Sequence, residues 1–377
     1  MSAGQTGGIG VLGTGSHLPA TMVTNDQVGA PAGVDDAWIT RKTGIRGRRW
    51  AEPGETTSDL CLAAAQLALK EAGTDPDLLR LIIVATSTPD SPQPPTAAVL
   101  AARLGAPAEA AAFDLNSVCS GFVFALETAR RFLAADAGTA GGDGGPYGAD
   151  AGRALVVAAD VYSRAIDPED RRTVVLLGDG AGAAVLGPVP AAPNGSYPGG
   201  AGAHAGRDGD RGGHRDGHRA GDHGRAILGS KLLTFGDHRD LVGVAAGGSR
   251  LPASAETLAR RQHYFTMQGR AVTEFVMEHV PDEVGRFLDE QGVSRADVRH
   301  VVPHQANAHL IRRLADELRL PRAALHSTVE RYGNTGAASL PVTLDAAARD
   351  GRFEPGDLVL LVAFGGGMSI GLSLVRW

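Results

Sequence analysis

The stretch AAFDLNSVCSGFVFA, residues 111–125, decides how the rest of this sequence is interpreted. Residues 113–116 predict the end of a buried strand, and apolar residues from Gly121 onward recur at helical spacing, so Cys119 falls on the turn into a helix. Unpaired backbone N–H groups and the positive end of the helix dipole favour a thiolate there and can hold an oxyanion. We expect Cys119 to be a nucleophile. A small buried hydrophobic residue is the alternative.

The composition indicates a globular chain and excludes several classes of protein. With 377 residues, 43% of them hydrophobic, the chain can bury a large core, and its length suggests two domains or one duplicated domain. A net charge of -6 and the lack of a basic stripe argue against nucleic-acid binding. No segment reaches the roughly 18 uninterrupted apolar residues of a membrane span. With no signal-peptide pattern and only two cysteines, Cys61 and Cys119, we expect a cytoplasmic protein with free thiols and no membrane partner.

Two stretches near the start suggest ligand sites of different kinds. Residues 35–50, DDAWITRKTGIRGRRW, combine two tryptophans with several arginines, and arginine with an indole face suits a purine ring and its phosphates. A solvated basic loop is the alternative. Residues 8–13 have GxGxxG-like spacing, but a predicted loop follows instead of a helix. We therefore expect no dinucleotide site there.

Residues 189–224 differ in composition from the rest of the chain. Between His204 and His223 lie four histidines, four arginines and four aspartates among glycines, and no large apolar residue. Such a segment cannot offset the entropy of ordering itself, so we expect a disordered surface insertion. His214 and His218 have the spacing of a helical metal pair, but the glycines argue against a helix.

The two halves of the chain share a pattern. In each half, a predicted helix is followed by a predicted buried strand. Three residues at the first junction, Glu71, Gly73 and Arg80, recur 219 positions later as Glu290, Gly292 and Arg299. Each half also ends with a glycine cluster that leads into a strand. We therefore expect two similar α/β halves, residues 1–188 and 225–377, packed face to face with their sheets buried between helices.

Two more polar residues lie at ends of predicted elements, as Cys119 does. His304 follows a predicted strand at residues 299–303, and Asn334 lies in YGNTG before a predicted helix. If the halves are related by pseudo-symmetry, the ends of their strands can converge on one pocket. Cys, His and Asn are then a set that a nucleophilic acyl-transfer enzyme could use. Individually, His304 could be a core histidine and Asn334 a turn residue.

Five blocks of the sequence resemble the signature of one family: DLNSVCSGFVFAL, GDGAGAAVL, PHQAN, YGNTGAASLP and FGGGMSIGLSLVRW. In this order they are similar to β-ketoacyl-acyl-carrier-protein synthase III, and the match covers nearly the whole chain apart from the insertion. The resemblance implies an α/β, thiolase-like fold with five layers, α-β-α-β-α, made of two pseudo-symmetric halves, and a homodimer. The catalytic trio of the family falls on Cys119, His304 and Asn334.

The resemblance also implies a decarboxylative condensation. An acyl-CoA would acylate Cys119, and the N–H groups of Cys119 and Gly366 would form the oxyanion hole. A malonyl thioester, usually on an acyl carrier protein, would then lose CO2, with its enolate held by His304 and Asn334. The 3-oxoacyl product would start a fatty-acid or polyketide chain. The resemblance implies neither a metal nor a redox cofactor. Acyl transfer to a hydroxyl or amine of a specialised metabolite is the alternative.

Substrate-binding residues of the family carry over as well. Trp38 and Arg171 match the pair that sandwiches the adenine of CoA, and Phe364 would shape the pocket near Cys119. Pro94 stands where a bulky aromatic often limits the acyl tunnel. A branched or longer acyl group would therefore fit.

One departure from the family concerns the acyl carrier protein. The helix that usually docks this acidic partner carries an arginine and a lysine, and here the corresponding residues are His309, Asp316 and Glu317. Arg312 and Arg313 lie nearby and could substitute. The sequence therefore predicts an acyl-CoA partner but leaves open whether the malonyl group arrives on a carrier protein or on CoA.

Overall fold

The computed structural model describes residues 8–138, 152–190 and 225–377. Its strands are β1 (Ile9–His17), β2 (Met22–Thr24), β3 (Gly47–Arg49), β4 (Leu79–Ala85), β5 (Ala111–Leu115), β6 (Arg153–Val161), β7 (Asp179–Pro188), β8 (Arg225–Thr234), β9 (Val242–Val244), β10 (Phe265–Met267), β11 (Val298–Pro303), β12 (Ala324–Leu325), β13 (Leu358–Gly365) and β14 (Ser369–Arg376). Its α-helices are α1 (Asn25–Gly29), α2 (Asp36–Thr43), α3 (Thr57–Ala72), α4 (Thr96–Leu104), α5 (Gly121–Gly138), α6 (Ala255–Ala259), α7 (Gly269–Glu290), α8 (Ala308–Leu318), α9 (Val329–Tyr332) and α10 (Ser339–Arg349).

Ten strands form one mixed sheet in the order β12-β11-β13-β14-β8-β1-β7-β6-β4-β5. Outward from the centre, β1-β7-β6-β4-β5 and β8-β14-β13-β11-β12 have the same pairing pattern. In each set the first two pairings are antiparallel and the last two are parallel. The sets meet where β1 pairs antiparallel with β8, at Gly10–Ala226 and Val11–Arg225. Each half of the chain therefore builds the same five-stranded unit.

The junctions predicted from the repeat carry the same geometry in both halves. Strands β4 and β11 begin at Leu79 and Val298, at the offset found in the sequence. The preceding helices end beside Gly73 and Gly292, whose φ angles of 56° and 65° lie in the left-handed region that glycine tolerates best. The duplicated fold predicted from the sequence is confirmed.

Helices cover both sets of strands and fill the space between them. Helices α3 and α4 pack on the outer face of the first set, and α7 and α8 on that of the second. Between the sets lie α5 and α10, and Val123, Leu126, Leu340 and Leu344 share one buried apolar cluster with strands of both halves. The layers are therefore α-β-α-β-α, as the thiolase-like fold requires.

Two expectations about single strands were wrong in detail. The loop predicted after residues 8–13 begins later than expected, because β1 continues to His17. Its glycines let α3 pack closely, since a Cβ on Gly13 would lie 2.6 Å from the carbonyl oxygen of Ala68. Residues 113–116 are not buried, because β5 is the outermost strand and Phe113 is 38% exposed.

The predicted insertion lies outside the described residues, except for Val189 and Pro190. Its disorder, the metal alternative at His214 and His218, and the boundaries of the two halves stay predictions. Among the described residues, no three His, Cys, Asp or Glu side chains form a group that could hold a metal ion. In the same part of the chain, no helix is long and apolar enough to cross a bilayer.

Candidate active site

Cys119 lies in a single 3-10 turn, Val118–Ser120, that leads directly into α5. Val118 has a φ of 46°, which is unfavourable for a β-branched residue and marks a strained turn just before the thiol. The hydroxyl of Ser120 donates to the carbonyl of Ser117 at 2.8 Å and lies 2.5 Å from the hydroxyl of Ser369 in β14. The turn that carries Cys119 is thus fastened to the second half of the molecule.

The glycines after β13 pass directly over this turn. A Cβ on Gly365 would lie 2.8 Å from the backbone nitrogen of Cys119 and 3.0 Å from its Cβ. A Cβ on Gly366 would lie 3.1 Å from Val118. Only glycine allows the backbone to come this close, which is the requirement for the oxyanion hole predicted at Cys119 and Gly366.

His304 follows β11 and is held in one orientation. Its backbone N–H donates to the carbonyl of Val362 at 2.8 Å, and its ring packs edge-on against Phe364 at 5.2 Å between centroids. The ring Nδ1 lies 2.7 Å from the Ser339 hydroxyl, which also accepts the N–H of Gln305 at 3.2 Å. In the arrangement where the Ser339 hydroxyl donates to Nδ1, the neutral ring carries its proton on Nε2.

Burial sets the charge of this histidine. Desolvation lowers the pKa of His304 to about 3, so the ring is neutral near pH 7. A neutral ring protonated on Nε2 is a hydrogen-bond donor and a poor base. This is the property that the predicted role of His304 toward an enolate requires.

Asn334 joins the two halves through its backbone. Its N–H donates to the carbonyl of Leu176 at 2.8 Å, and its carbonyl accepts the N–H of Gly178 at 2.9 Å. The side-chain Oδ1 accepts the N–H of Gly336 at 2.9 Å. The amide NH2 group is therefore the end of the side chain left to donate to a ligand.

A buried carboxylate that the sequence analysis missed contacts the loop that carries Asn334 and acts electrostatically on Cys119. Asp160, near the end of β6, accepts the N–H of Ser87 at 2.9 Å on Oδ1 and the N–H of Ala337 at 2.8 Å on Oδ2. No cation pairs with it among the described residues, and burial raises its pKa. The available signal was an acidic residue in the otherwise apolar run ALVVAAD.

Asp160 also changes the expectation for the nucleophile. Burial first, and the charge of Asp160 second, raise the pKa of the Cys119 thiol, although the backbone N–H of Cys119 opposes them. Burial and the charge of Asp160 therefore oppose the thiolate expected at the start of the helix and favour the protonated thiol in the free enzyme.

The structure brings Trp38 and Arg171 together, and the role expected of Pro94 stays a prediction. The guanidinium carbon of Arg171 lies 5.9 Å from the centroid of the Trp38 ring, and both residues line a cavity of about 380 Å³. Pro94 is exposed in the loop between β4 and α4, and no described contact within the chain joins it to Cys119. The docking residues His309, Asp316 and Glu317 lie on the exposed face of α8.

Comparison with known proteins identifies the family of this chain. Models of 3-oxoacyl-[acyl-carrier-protein] synthase III match residues 147–197 and, for its C-terminal part, residues 288–377. The chain is 37% identical over 368 residues to the β-ketoacyl-[acyl-carrier-protein] synthase III of Caldanaerobacter subterraneus subsp. tengcongensis, covering 98% of this chain and 97% of that relative. The chain belongs to the β-ketoacyl-acyl-carrier-protein synthase III family.

Two further relatives of this synthase III place it within the family. It is 50% identical over 367 residues to the acetoacetyl CoA synthase NphT7 of Streptomyces sp. (strain CL190), covering 97% of this chain and 98% of that relative. The crystal structure of the synthase III from Pseudomonas aeruginosa PAO1 superposes with a TM-score of 0.76 at 35% identity, covering 98% of each chain. The protein is therefore a condensing enzyme of the synthase III type.

The raised thiol pKa predicts how this synthase III responds to pH. Because the thiolate is the nucleophile and the group titrates above neutrality, the rate of Cys119 acylation should rise about tenfold per pH unit between pH 6 and 8. His304 should add no inflection above about pH 5, since its folded pKa is about 3. Rapid-quench mass spectrometry of the acyl-enzyme measures the rate, and a flat profile would show that the thiolate is already formed.

Proposed function

We propose that this enzyme condenses an acyl-CoA starter with malonyl-CoA and releases a 3-oxoacyl-CoA. The exposed face of α8 supports CoA as the carrier of the malonyl group. Asp316 and Glu317 lie on that face and would repel an acidic carrier protein. Of the two arginines that could substitute, Arg312 is paired with Glu330 at 2.7 Å, which leaves Arg313 as the one without an ion-pair partner among the described residues. The relative named acetoacetyl CoA synthase supports the same assignment, because a product bound to CoA requires an extender bound to CoA.

The first half-reaction would begin with CoA bound between Trp38 and Arg171. The Cys119 sulfur loses its proton and attacks the thioester carbonyl, and the N–H groups of Cys119 and Gly366 hold the oxyanion. One such donor contributes about 3–4 kcal/mol to the transition state in other acyl-transfer enzymes. The tetrahedral intermediate collapses to acyl-Cys119, and CoA leaves as its thiol.

The second half-reaction would use the donors that the structure orients. His304 Nε2–H and the Asn334 amide donate to the thioester carbonyl of malonyl-CoA, where negative charge develops as CO2 leaves. The enolate carbon then attacks the carbonyl carbon of acyl-Cys119, and the new carbon–carbon bond displaces the sulfur. Simple transfer of the acyl group to a hydroxyl or amine has no enolate to stabilise, so the orientation of these two donors favours condensation.

The decisive experiment compares two malonyl acceptors for the acylated enzyme. The enzyme is acylated with acetyl-CoA, freed from excess donor, and mixed with malonyl-CoA or with malonyl-acyl-carrier-protein at equal concentration. Intact-protein mass spectrometry then follows the loss of the acyl group, and released CO2 is counted. Discharge by malonyl-CoA with CO2 release is expected. Preference for the carrier protein would overturn the proposed extender, and discharge only by an alcohol or amine would identify an acyltransferase.

The Ser339 hydroxyl gives a prediction that separates the two half-reactions. Ser339→Ala leaves Nδ1 of His304 without its donor, so the ring can place its proton on Nδ1 and lose the Nε2 donor. We expect condensation to slow about tenfold, less than the roughly hundredfold or greater cost of removing an oxyanion donor outright, while acylation stays unchanged. Single-turnover kinetics of both steps measure this. The matched control is Ser373→Ala, which removes the hydroxyl of a buried serine in β14. Equal slowing of both steps in Ser339→Ala would contradict the role assigned to Ser339.

We also propose that the enzyme is a cytoplasmic homodimer that pairs through β5. This strand has a free edge at the end of the ten-stranded sheet, and it exposes Phe113. Analytical ultracentrifugation should give twice the mass of one chain. Phe113→Glu should shift the equilibrium toward the monomer, whereas the substitution of another exposed apolar residue, Leu258→Glu, should not. A parent protein that sediments as one chain would contradict this proposal.

A further inference from the structure

A second cavity, of about 610 Å³, opens beside β12 and the last turns of α10. It is separate from the proposed CoA cavity and shares none of its lining residues. None of Cys119, His304 and Asn334 lines it. Its volume lies in the range of cavities that hold metabolites.

The walls of this cavity carry more positive than negative charge. Arg331 and Arg352 line it, and neither forms an ion pair with a carboxylate among the residues that the structure describes. The guanidinium carbon of Arg331 lies 4.9 Å from the centroid of the Tyr332 ring. Asp350 is the acidic side chain on the wall. Burial first, and then the charges of His300 and Arg352, lower the pKa of His326, which also lines the cavity, to about 4. Two unpaired guanidinium groups at one cavity suit a ligand with two negative charges.

The floor of the cavity leads to the residues that position His304. Thr328 and Thr343 form the floor, with their hydroxyls 2.6 Å apart. The Thr343 hydroxyl donates to the carbonyl of Ser339 at 2.8 Å, and the Thr328 N–H donates to Oε1 of Gln305 at 2.9 Å. Ser339 bonds the ring of His304, and Gln305 follows it in the chain. A ligand that moves either threonine would act on both supports of His304.

We propose that this cavity is a second binding site, for a small dianion such as an organic phosphate or a dicarboxylate, and that its occupant changes the rate of condensation through His304. Binding requires only the two arginines and the shape of the cavity. The effect on rate rests on the proposed function of His304, so binding and effect are tested separately.

Binding is tested by isothermal titration calorimetry of the full chain with two dianions, inorganic phosphate near pH 8 and succinate. At least one probe should bind, and the one that binds tells a phosphate from a carboxylate ligand. The double substitution of Arg331→Ala and Arg352→Ala should weaken it about tenfold or more. Arg322→Ala removes an exposed arginine outside the cavity and should change nothing. The site is ruled out if neither probe binds, if the double variant binds as the parent does, or if Arg171→Ala abolishes binding, which would place the probe in the CoA cavity.

The effect is tested by single-turnover condensation of the acetylated enzyme with and without the bound probe. The condensation rate should change severalfold while the rate of acylation stays constant. In Thr343→Val, which lacks the bridging hydroxyl, the probe should still bind and the change should disappear. An equal condensation rate with and without the probe overturns the coupling. An enzyme that fails to condense even without the probe would instead refute the proposed function.

Discussion

Replacing Cys119 with alanine is expected to abolish both covalent acylation and condensation while the protein still folds. The thiol is the predicted nucleophile, and removing a nucleophile costs about 10⁴-fold or more in turnover in comparable enzymes. The substitution removes a single sulfur atom from a small side chain, so we expect the free energy of unfolding to change by about 1 kcal/mol or less. Intact-protein mass spectrometry with acetyl-CoA and urea unfolding measure the two effects.

The second cysteine of the chain provides the control for this experiment. Cys61 is fully buried among the alanines of α3, and desolvation raises its pKa well above the usual value. Cys61→Ala should lose about 1 kcal/mol of stability and keep full acylation. A mass gain in the Cys119 variant, or its loss in the Cys61 variant, would contradict the assignment of the nucleophile.

Replacing Gly336 with alanine is expected to disrupt the loop that carries Asn334. Gly336 has a φ of 60°, and a Cβ there would overlap Oδ2 of Asp160 and lie 2.5 Å from the ring of Tyr162. The left-handed backbone costs an alanine about 1–2 kcal/mol and the overpacking about 1–3 kcal/mol more. We expect a loss of roughly 2–5 kcal/mol in stability and of most condensation activity, because Asn334 bonds the N–H of this residue.

A control substitution at Gly351 separates the cost of the left-handed backbone from the cost of overpacking. Its φ of 63° is nearly the same, but a Cβ there meets no atom within 4 Å. Gly351→Ala should therefore lower the free energy of unfolding only by the cost of the left-handed backbone, about 1–2 kcal/mol, and leave condensation intact. Urea unfolding and single-turnover kinetics of both variants test this. Equal losses in the two variants would show that contact with Asp160 is unimportant.

The internal repeat and the five sequence blocks that resemble the family signature allowed most of the fold to be predicted. The constant offset between Gly73 and Gly292 was visible because left-handed helix ends admit few residues other than glycine. The edge position of β5 was not visible, since an apolar run such as that around Phe113 fits a buried strand equally well. Burial at an edge depends on pairing between distant strands, which local patterns do not encode.

The candidate site was predicted in its residues but not in its electrostatics. Cys119 was found from its place at a turn into a helix, a local property. The pKa of its thiol depends on Asp160, which comes from another strand and which no motif connects to the cysteine. Ser339 was missed for the same reason, because its contact with His304 joins residues 35 positions apart. The sequence identifies reactive groups, whereas their protonation depends on tertiary neighbours.

Because β1 lies between β7 and β8, the connection from β7 to β8 can vary in length. Strand β7 ends at Pro188 beside Ile9, and β8 begins at Arg225 beside Val11, so the two ends lie about 10 Å apart, two strand spacings. Closing a longer or shorter loop between fixed ends changes its entropy only slowly with length. Both ends belong to the centre of the sheet, so we expect insertions and deletions at this point to leave the geometry of Cys119, His304 and Asn334 unchanged. Relatives can therefore diverge here at little cost to catalysis.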